Sequence, residues 1–174
     1  VNHVLHSALM RLSTSVFGLH LWSIRIPALL AGILVMPVFY AFVRSMFNRY
    51  IALTTLALVA CSGPLIGMGA IAAGFGVCWF LFITSLVLGR HFIKSNDLTS
   101  GLLIALLNAL GLWTMPAYCY AALAVFLWLL ISLIMGYTTS LRERIIRLVF
   151  ILSVLLGLAF LLYAPMLQVH GFDQ

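Results

Sequence analysis

Six apolar stretches, separated by short polar breaks, occupy most of this 174-residue chain. Each is close to the length of a helix that crosses the hydrocarbon core of a bilayer, about 20 residues. Hydrophobic residues make up 65% of the sequence and charged residues only 7%, whereas a soluble domain is about half apolar and a quarter charged. These proportions exclude a water-soluble globular domain and also a disordered chain, which needs low hydrophobicity and high charge. We therefore predict an all-α fold, a polytopic bundle of transmembrane helices.

The boundaries of the spans follow from the breaks, which contain charged residues or Pro and Gly. The six spans are predicted at about 26–43, 50–66, 71–89, 98–113, 117–136 and 145–164. We divide the chain into an outer-face amphipathic juxtamembrane helix over 1–22 and a transmembrane bundle of about six helices over 23–174.

The segment at about 2–17 has helical periodicity but is too short and too polar to span a membrane. One face is apolar and contains Leu5, Ala8, Leu9, Leu12 and Val16. The other face is polar and contains His3, His6, Ser7, Arg11 and Thr14. Two interpretations remain open: the helix is a simple anchor at the membrane surface, or its polar face lines a cavity there.

Basic residues are concentrated in alternate breaks. Seven of the nine lie in the breaks at 44–49, 90–97 and 138–147, namely Arg44, Arg49, Arg90, Lys94, Arg142, Arg144 and Arg147. The positive-inside rule places these three breaks in the cytoplasm and the others outside. Both ends of the chain are then outside. Because the chain begins with Val and has no signal peptide, we expect at least one span to precede it in a longer protein.

The predicted topology can be tested by cysteine labelling. Cysteines introduced at Asn48 and Ser140 should resist an impermeant thiol reagent applied to intact cells, because both positions lie in basic breaks. Labelling of both positions from outside would invert the topology.

The remaining composition excludes several functions. Because topology accounts for the net charge of +6, no nucleic-acid partner is predicted. The three cysteines are single and widely spaced, so they indicate neither a disulfide framework nor a metal site, and no cofactor is predicted. The three acidic residues, Asp97, Glu143 and Asp173, all lie outside the predicted spans. Their positions argue against a proton-coupled carrier, which usually needs an ionisable group within the membrane.

Several polar and aromatic residues on the predicted outer side are candidates for ligand binding. His3 and His6 are three residues apart, a spacing that permits a metal ligand pair, hydrogen bonds to a sugar or interface ligand, or simple solvation.

Arg11 and Arg25 are basic residues that depart from the positive-inside pattern. Arg25 precedes Pro27, which fits the first turn of a helix, and it can either bind a lipid or substrate phosphate or extend to ordinary headgroups. The outer ends of the spans are also rich in aromatic residues, typical of an interfacial belt or of a groove for a lipid-linked substrate: Trp22, Trp113, Tyr118, Tyr120 and Tyr163.

The runs NHVLHSALMRLSTSVFG and WSIRIPALLAGILVMPVFYAFVRSMFNR resemble the polyprenyl-phosphate-sugar glycosyltransferases, which have a GT-C type fold. These include the protein O-mannosyltransferases and the bacterial transferase that adds aminoarabinose to lipid A. The positions that match the family pattern are Asn2, His3, Leu5, Phe17, Gly18, Arg25, Pro27, Gly32, Arg44, Phe47 and Arg49. The later segments GLLIALLNALGLWTMPAYCYAALAVFLWLL and LLYAPML are also similar to family segments. Two positions depart from the pattern: Val4 stands where the family usually has Pro, and Ala73 where many members have Arg.

The resemblance implies a multi-pass enzyme, in a bacterial inner membrane, that takes a sugar from a polyprenyl-phosphate donor at the outer face. An aspartate in an outer loop upstream of Val1 would deprotonate the acceptor. The sugar–phosphate bond would break with inversion, and basic residues would stabilise the departing phosphate. Asn2, His3, His6, Arg11 and Arg25 are the expected substrate-binding residues. Without the upstream aspartate, these 174 residues should transfer no sugar alone; the sugar and the acceptor are not predicted.

A second interpretation is a non-enzymatic protein, such as part of a permease or lipid flippase, with the first helix as a surface anchor. The upstream gene sequence distinguishes the two. The enzyme requires another span and an outer loop with Asp or Glu, whereas a start codon directly before Val1 favours the second interpretation.

Overall fold

The computed structural model describes residues 4–63, 66–67, 74–136 and 141–170, the last six of them as backbone only. These residues form seven α-helices and no strands, which confirms the predicted all-α class. The helices are α1 Val4–Phe17, α2 Leu21–Met46, α3 Arg49–Ala60, α4 Phe75–Ser95, α5 Leu98–Thr114, α6 Cys119–Met135 and α7 Leu141–His170. A short 3-10 turn, Pro116–Tyr118, connects α5 to α6.

Six helices occupy the positions of the six predicted spans, but they differ in length. Four are long and apolar enough to cross a membrane: Leu21–Met46, Phe75–Ser95, Pro116–Met135 and Leu141–Ala164. The other two are shorter apolar helices: α3 ends before its predicted boundary at 66, whereas α5 closely matches its predicted span of 98–113. The helix α3 ends at Ala60, before Ser62 and Gly63, and α5 lies between an N-cap at Asp97 and the turn at Pro116. Both are stopped by residues that favour caps and turns over helix interiors.

The boundary between α1 and α2 differs from the prediction. The helix α2 begins at Leu21, so Pro27 is its seventh residue and lies inside the helix rather than in the first turn. The chain turns at Gly18, whose φ of +81° suits a residue without a Cβ. The His20 backbone N–H then donates to the Ser23 hydroxyl over 3.2 Å, which satisfies a donor at the new helix start.

The helix α4 lies at the centre of the bundle and packs against α2, α5 and α6. The helix α5 also contacts α7 and α1, while α3 packs against α2. The larger core lies between α4, α5, α6 and α7 and includes Phe92, Ile104, Val125, Leu129 and Ile151. A polar contact joins α4 to α5 inside the bundle, where the Asn108 side-chain amide donates to the Ser85 hydroxyl over 3.1 Å. Many large apolar side chains on the outer surface are exposed, as expected for helices surrounded by lipid.

Described residues from all three basic breaks meet at one end of the bundle, and three of their arginines donate to backbone carbonyls there. Arg90 donates to the Ser45 carbonyl of α2 over 3.0 Å. Arg144 donates to the Ile93 carbonyl over 3.2 Å, and Arg147 to the Asn96 carbonyl over 2.5 Å, both at the end of α4. A cation at a helix C-terminus pairs with free carbonyls and with the negative end of the helix dipole. These three arginines therefore stabilise the fold in addition to any effect on topology.

Asp97 caps α5 at the same end. Its carboxylate accepts hydrogen bonds from the backbone N–H groups of Ser100 and Thr99 at 3.2 and 3.4 Å. The backbone hydrogen bond from Ser100 is the main cause of a lowered pKa for this carboxyl. Asp97 thus has a structural role as an N-cap.

Candidate functional site

An apolar groove of about 550 Å³, which we call the α1 groove, lies between α1 and the first half of α2. Its volume is within the range of small-molecule sites. Among the described residues that line it, Ser13 is the only one with a polar side chain. The groove is lined by Leu5, Leu9, Leu12, Ser13, Val16, Phe17, Ile26, Pro27, Leu30, Ala31, Leu34, Val77, Phe80, Leu81 and Leu110.

The chemistry of this groove suits a hydrocarbon chain. Aliphatic and aromatic walls pack against a hydrocarbon chain through many dispersion contacts, each worth about 0.1–0.2 kcal/mol at optimal separation. With so few polar groups, they offer little to fix a sugar or a charged group. The groove can therefore hold an acyl or isoprenoid chain, while any polar headgroup must bind elsewhere.

The helix α1 is present as predicted, but its faces are used differently. His6, assigned to the polar face, is only 1% exposed, and Ser13, seven residues later on the same side, is buried as well. Leu12 and Val16 of the apolar face are largely exposed along the groove. His6 is therefore not exposed as the polar face of a simple surface anchor would be, because α1 packs against α2 and α5 and not only against lipid.

Arg11 and Arg25 are both exposed and lie on the faces of their helices away from the groove. Each residue turns an α-helix by about 100°. Arg11 follows the groove residue Leu9 by two positions, and Arg25 precedes the groove residue Pro27 by two, so each is rotated by about 200°. The fold does not place these two side chains over the groove, and their binding roles remain predictions.

Aromatic rings surround the turn between α1 and α2. The rings of His20 and Trp22 stack with a centroid separation of 5.9 Å and an interplanar angle of 7°. Phe17 contacts Trp22 with centroids 5.6 Å apart. Trp22 precedes Arg25 by three positions, so the two share one side of α2. An exposed cation beside flat rings is an arrangement that can bind a phosphate and the face of a sugar.

Of the aromatic residues predicted at the outer ends of the spans, some are exposed, whereas Tyr118 is buried and does not fit an interfacial belt. Trp22 and Tyr120 are exposed, and the Tyr163 hydroxyl donates to the Leu112 carbonyl over 2.7 Å. Tyr118 is buried, and its ring lies against the backbone of Gly111. Because the turn at Pro116–Tyr118 directs this side chain back onto α5, it is a packing residue and not an interfacial one.

Other predicted site residues lie elsewhere or outside the described residues. Asn2, His3, Ala73 and Asp173 belong to the second group. Asp97 adjoins the end of α4 and Glu143 lies in the first turn of α7, both at the basic end of the bundle, far from Arg25 along α2. Among the residues that the structure describes, no three His, Cys, Asp or Glu side chains come together as a metal site.

Two residues at this site, Ser13 and Ser23, were not predicted from the sequence. The Ser13 hydroxyl donates to the Ser23 carbonyl over 2.6 Å, and both residues are buried. One signal was present: Ser23 lies four residues before Pro27, so its carbonyl cannot find a helical partner there. Nothing in the periodicity of 2–17 identifies Ser13 as the donor, because this hydrogen bond forms only when α1 folds back onto α2.

These features define a multispan integral membrane protein with an apolar groove at the end of the bundle opposite its basic loops. The family model for dolichyl-phosphate-mannose-protein mannosyltransferase matches residues 3–167, so the chain belongs to this family of membrane glycosyltransferases. The match confirms the resemblance found in the sequence. No curated protein and no solved structure gave a significant match.

Proposed function

We propose that this protein takes part in transfer of a sugar from a polyprenyl-phosphate donor to an acceptor at the outer face of a bacterial inner membrane. The α1 groove would hold the first isoprenoid units of the donor. The observation that carries this proposal is the apolar groove in a chain of the mannosyltransferase family, whose name specifies a polyprenyl-phosphate-linked sugar.

The polar half of the donor would lie at the headgroup level. Arg25 is the cation proposed to bind its phosphate, with Arg11 as a second outer cation, and the stacked rings of His20 and Trp22 flank the same region. Asn2, His3 and His6 remain proposed contacts to the sugar or phosphate, although the burial of His6 favours a role within the α1 interface. In this reaction an acceptor oxygen attacks the sugar carbon, the sugar–phosphate bond breaks, and the electrons leave on the phosphate.

The proposed reaction also needs a base for the acceptor. Asp97 and Glu143 lie at the opposite, basic end of the bundle, so neither is proposed for this role. We assign the base to an aspartate outside these 174 residues, as the family resemblance implies.

Filling the groove should weaken donor binding. In the enzyme expressed from its whole gene, Leu30→Trp replaces a leucine of the groove with a bulkier indole side chain. Leu30 is 53% exposed, so the indole can extend into the groove. Fitting the donor chain beside the added indole forces steric adjustments of the kind that cost about 1–3 kcal/mol in packed sites, and we expect roughly a tenfold higher KM for the donor. Steady-state kinetics in membranes with a synthetic polyprenyl-phosphate sugar would measure this change, with kcat altered less than about twofold.

The neighbouring leucine provides a matched control. Leu29 is 47% exposed and is not one of the groove residues. Leu29→Trp should therefore leave the donor KM within about twofold of the wild type. Equal KM values for the two variants would contradict binding of the donor chain in the α1 groove.

A further inference from the structure

A proline inside α2 leaves one backbone acceptor of that helix without its usual partner. In an α-helix each N–H pairs with the carbonyl four residues earlier. Pro27 has no N–H, so the Ser23 carbonyl cannot be paired from that position. Ser23 is fully buried, and an unpaired carbonyl at a buried position destabilises a fold.

The partner of this carbonyl comes from another helix. The Ser13 hydroxyl of α1 donates to it over 2.6 Å, and Ser13 is itself buried. The Ser23 hydroxyl is also engaged: it lies 2.7 Å from the Gly18 carbonyl and 2.8 Å from the His20 carbonyl, in the turn between α1 and α2. The hydrogen bonds of Ser23 thus fix both the turn and the approach of α1 to α2.

We propose that Ser13 and Pro27 together are a positioning pair that holds α1 as a wall of the α1 groove. Pro27 creates the free acceptor, and Ser13 occupies it. Both residues also line the groove, so the hydrogen bond sets the width of the space between the two helices. This role in substrate binding rests on the proposed function, whereas the hydrogen bond and its effect on α1 do not.

The first test measures the rate of amide hydrogen exchange in α1 and needs no activity assay. The whole protein in lipid nanodiscs is followed by amide hydrogen exchange, read out by mass spectrometry. Loss of a buried hydrogen bond of this kind should speed exchange in α1 by about 5- to 100-fold in Ser13→Ala. Ser13→Thr keeps the hydroxyl and should restore most of the protection. Ser15→Ala is the matched control, because the Ser15 hydroxyl is exposed and donates within α1, to the Leu12 carbonyl.

A double-mutant cycle separates this pair from general packing. Pro27→Ala supplies an N–H for the Ser23 carbonyl within α2, so Ser13 is no longer required for that acceptor. Adding Ser13→Ala to Pro27→Ala should then change α1 exchange by less than about twofold. Pro37→Ala, at the other proline inside α2, should leave the full effect of Ser13→Ala intact. An undiminished effect of Ser13→Ala in the Pro27→Ala background would overturn the proposal.

Kinetics then test the link to the groove. Ser13→Ala should raise the donor KM by about fivefold or more with kcat changed less than twofold, and Ser13→Thr should reverse the rise. If exchange in α1 increases while KM stays constant, the positioning pair stands but the groove does not bind the donor. If neither exchange nor KM changes, the positioning pair itself is wrong.

Discussion

Replacing Arg25 with alanine should lower sugar transfer by at least about tenfold in the complete enzyme, without reducing its insertion or abundance. The guanidinium is exposed on the first two turns of α2, on the same side as Trp22, where a donor phosphate is expected. A hydrogen bond to a charged group contributes about 1.5–3 kcal/mol. If this contribution appears only as the phosphate departs, the rate changes by roughly 10- to 150-fold. Initial rates with a polyprenyl-phosphate sugar, normalised to protein abundance, provide the measurement.

Two further variants make the result specific. Arg25→Lys should recover only part of the rate, because lysine cannot make the planar bidentate contact. Arg44→Ala is the matched control: it removes an exposed arginine from the last turn of the same helix, at the basic end of the bundle. Its rate should remain near that of the wild type. Normal transfer by Arg25→Ala would leave this residue as an interfacial anchor.

The transfer rate of Arg25→Ala and the donor KM of Leu30→Trp, taken together, would locate the donor on α2. These side chains lie on different sides of α2, since Leu30 lines the groove and Arg25 is rotated away from it. If Arg25→Ala lowers the transfer rate and Leu30→Trp raises the donor KM, the donor chain enters the groove and its phosphate lies across the start of α2. Sensitivity at Arg25 combined with indifference to Leu30→Trp would instead place the donor on the exposed side of α2.

The positions of the helices could be predicted because the breaks have local causes. Asn48 caps α3 by accepting hydrogen bonds from the Tyr50 and Ile51 backbone N–H groups at 3.0 and 2.9 Å, and Asp97 does the same for α5. Such caps depend on residues within one turn of each other, so they can be read from the sequence. The short length of α3 was not predicted because the apolar pattern continues beyond Ala60, where the helix ends.

The start of α2 and the environment of His6 depend on contacts between helices. A proline as the seventh residue of a helix leaves the Ser23 carbonyl without its helical partner. It is tolerated here because the Ser13 hydroxyl, on another helix, donates to that carbonyl. The face of α1 was assigned for a helix against lipid, whereas α1 packs against α2 and α5. Periodicity reports that two faces differ, but it does not report which neighbour each face will meet.

The α1 groove was beyond prediction for the same reason. Its walls combine residues that are far apart in sequence, from Leu5 on α1 to Leu110 on α5. Nearly all of them are ordinary apolar residues in an apolar sequence, and only the fold distinguishes them from apolar residues that face lipid. The charged candidates were easier to find, since Arg11 and Arg25 are rare residues in this composition, but their orientation away from the groove required the structure.

Introducing a single methyl group at Gly111 should destabilise the bundle. An alanine Cβ at this position would lie 2.5 Å from Cδ1 and Cζ of the Tyr118 ring. The ring is buried and held by the turn at Pro116–Tyr118, so it cannot move aside as the end of a flexible side chain would. Overpacking of this kind costs about 1–3 kcal/mol, more than alanine gains over glycine within a helix. We expect the melting temperature of Gly111→Ala in detergent to fall by roughly 2–8 °C.

The control is a glycine in a similar backbone conformation with open space around it. Gly157 lies within α7, and a Cβ there would meet nothing within 4 Å. Gly157→Ala should therefore keep or raise the melting temperature, because alanine is the better helix former. Tyr118→Leu removes the obstructing ring, so Gly111→Ala should cost much less in that background. Thermal unfolding of the four variants, followed by size-exclusion chromatography after heating, measures both effects. If Gly111→Ala lowers the melting temperature equally with and without the Tyr118 ring, this ring does not limit the packing of α5.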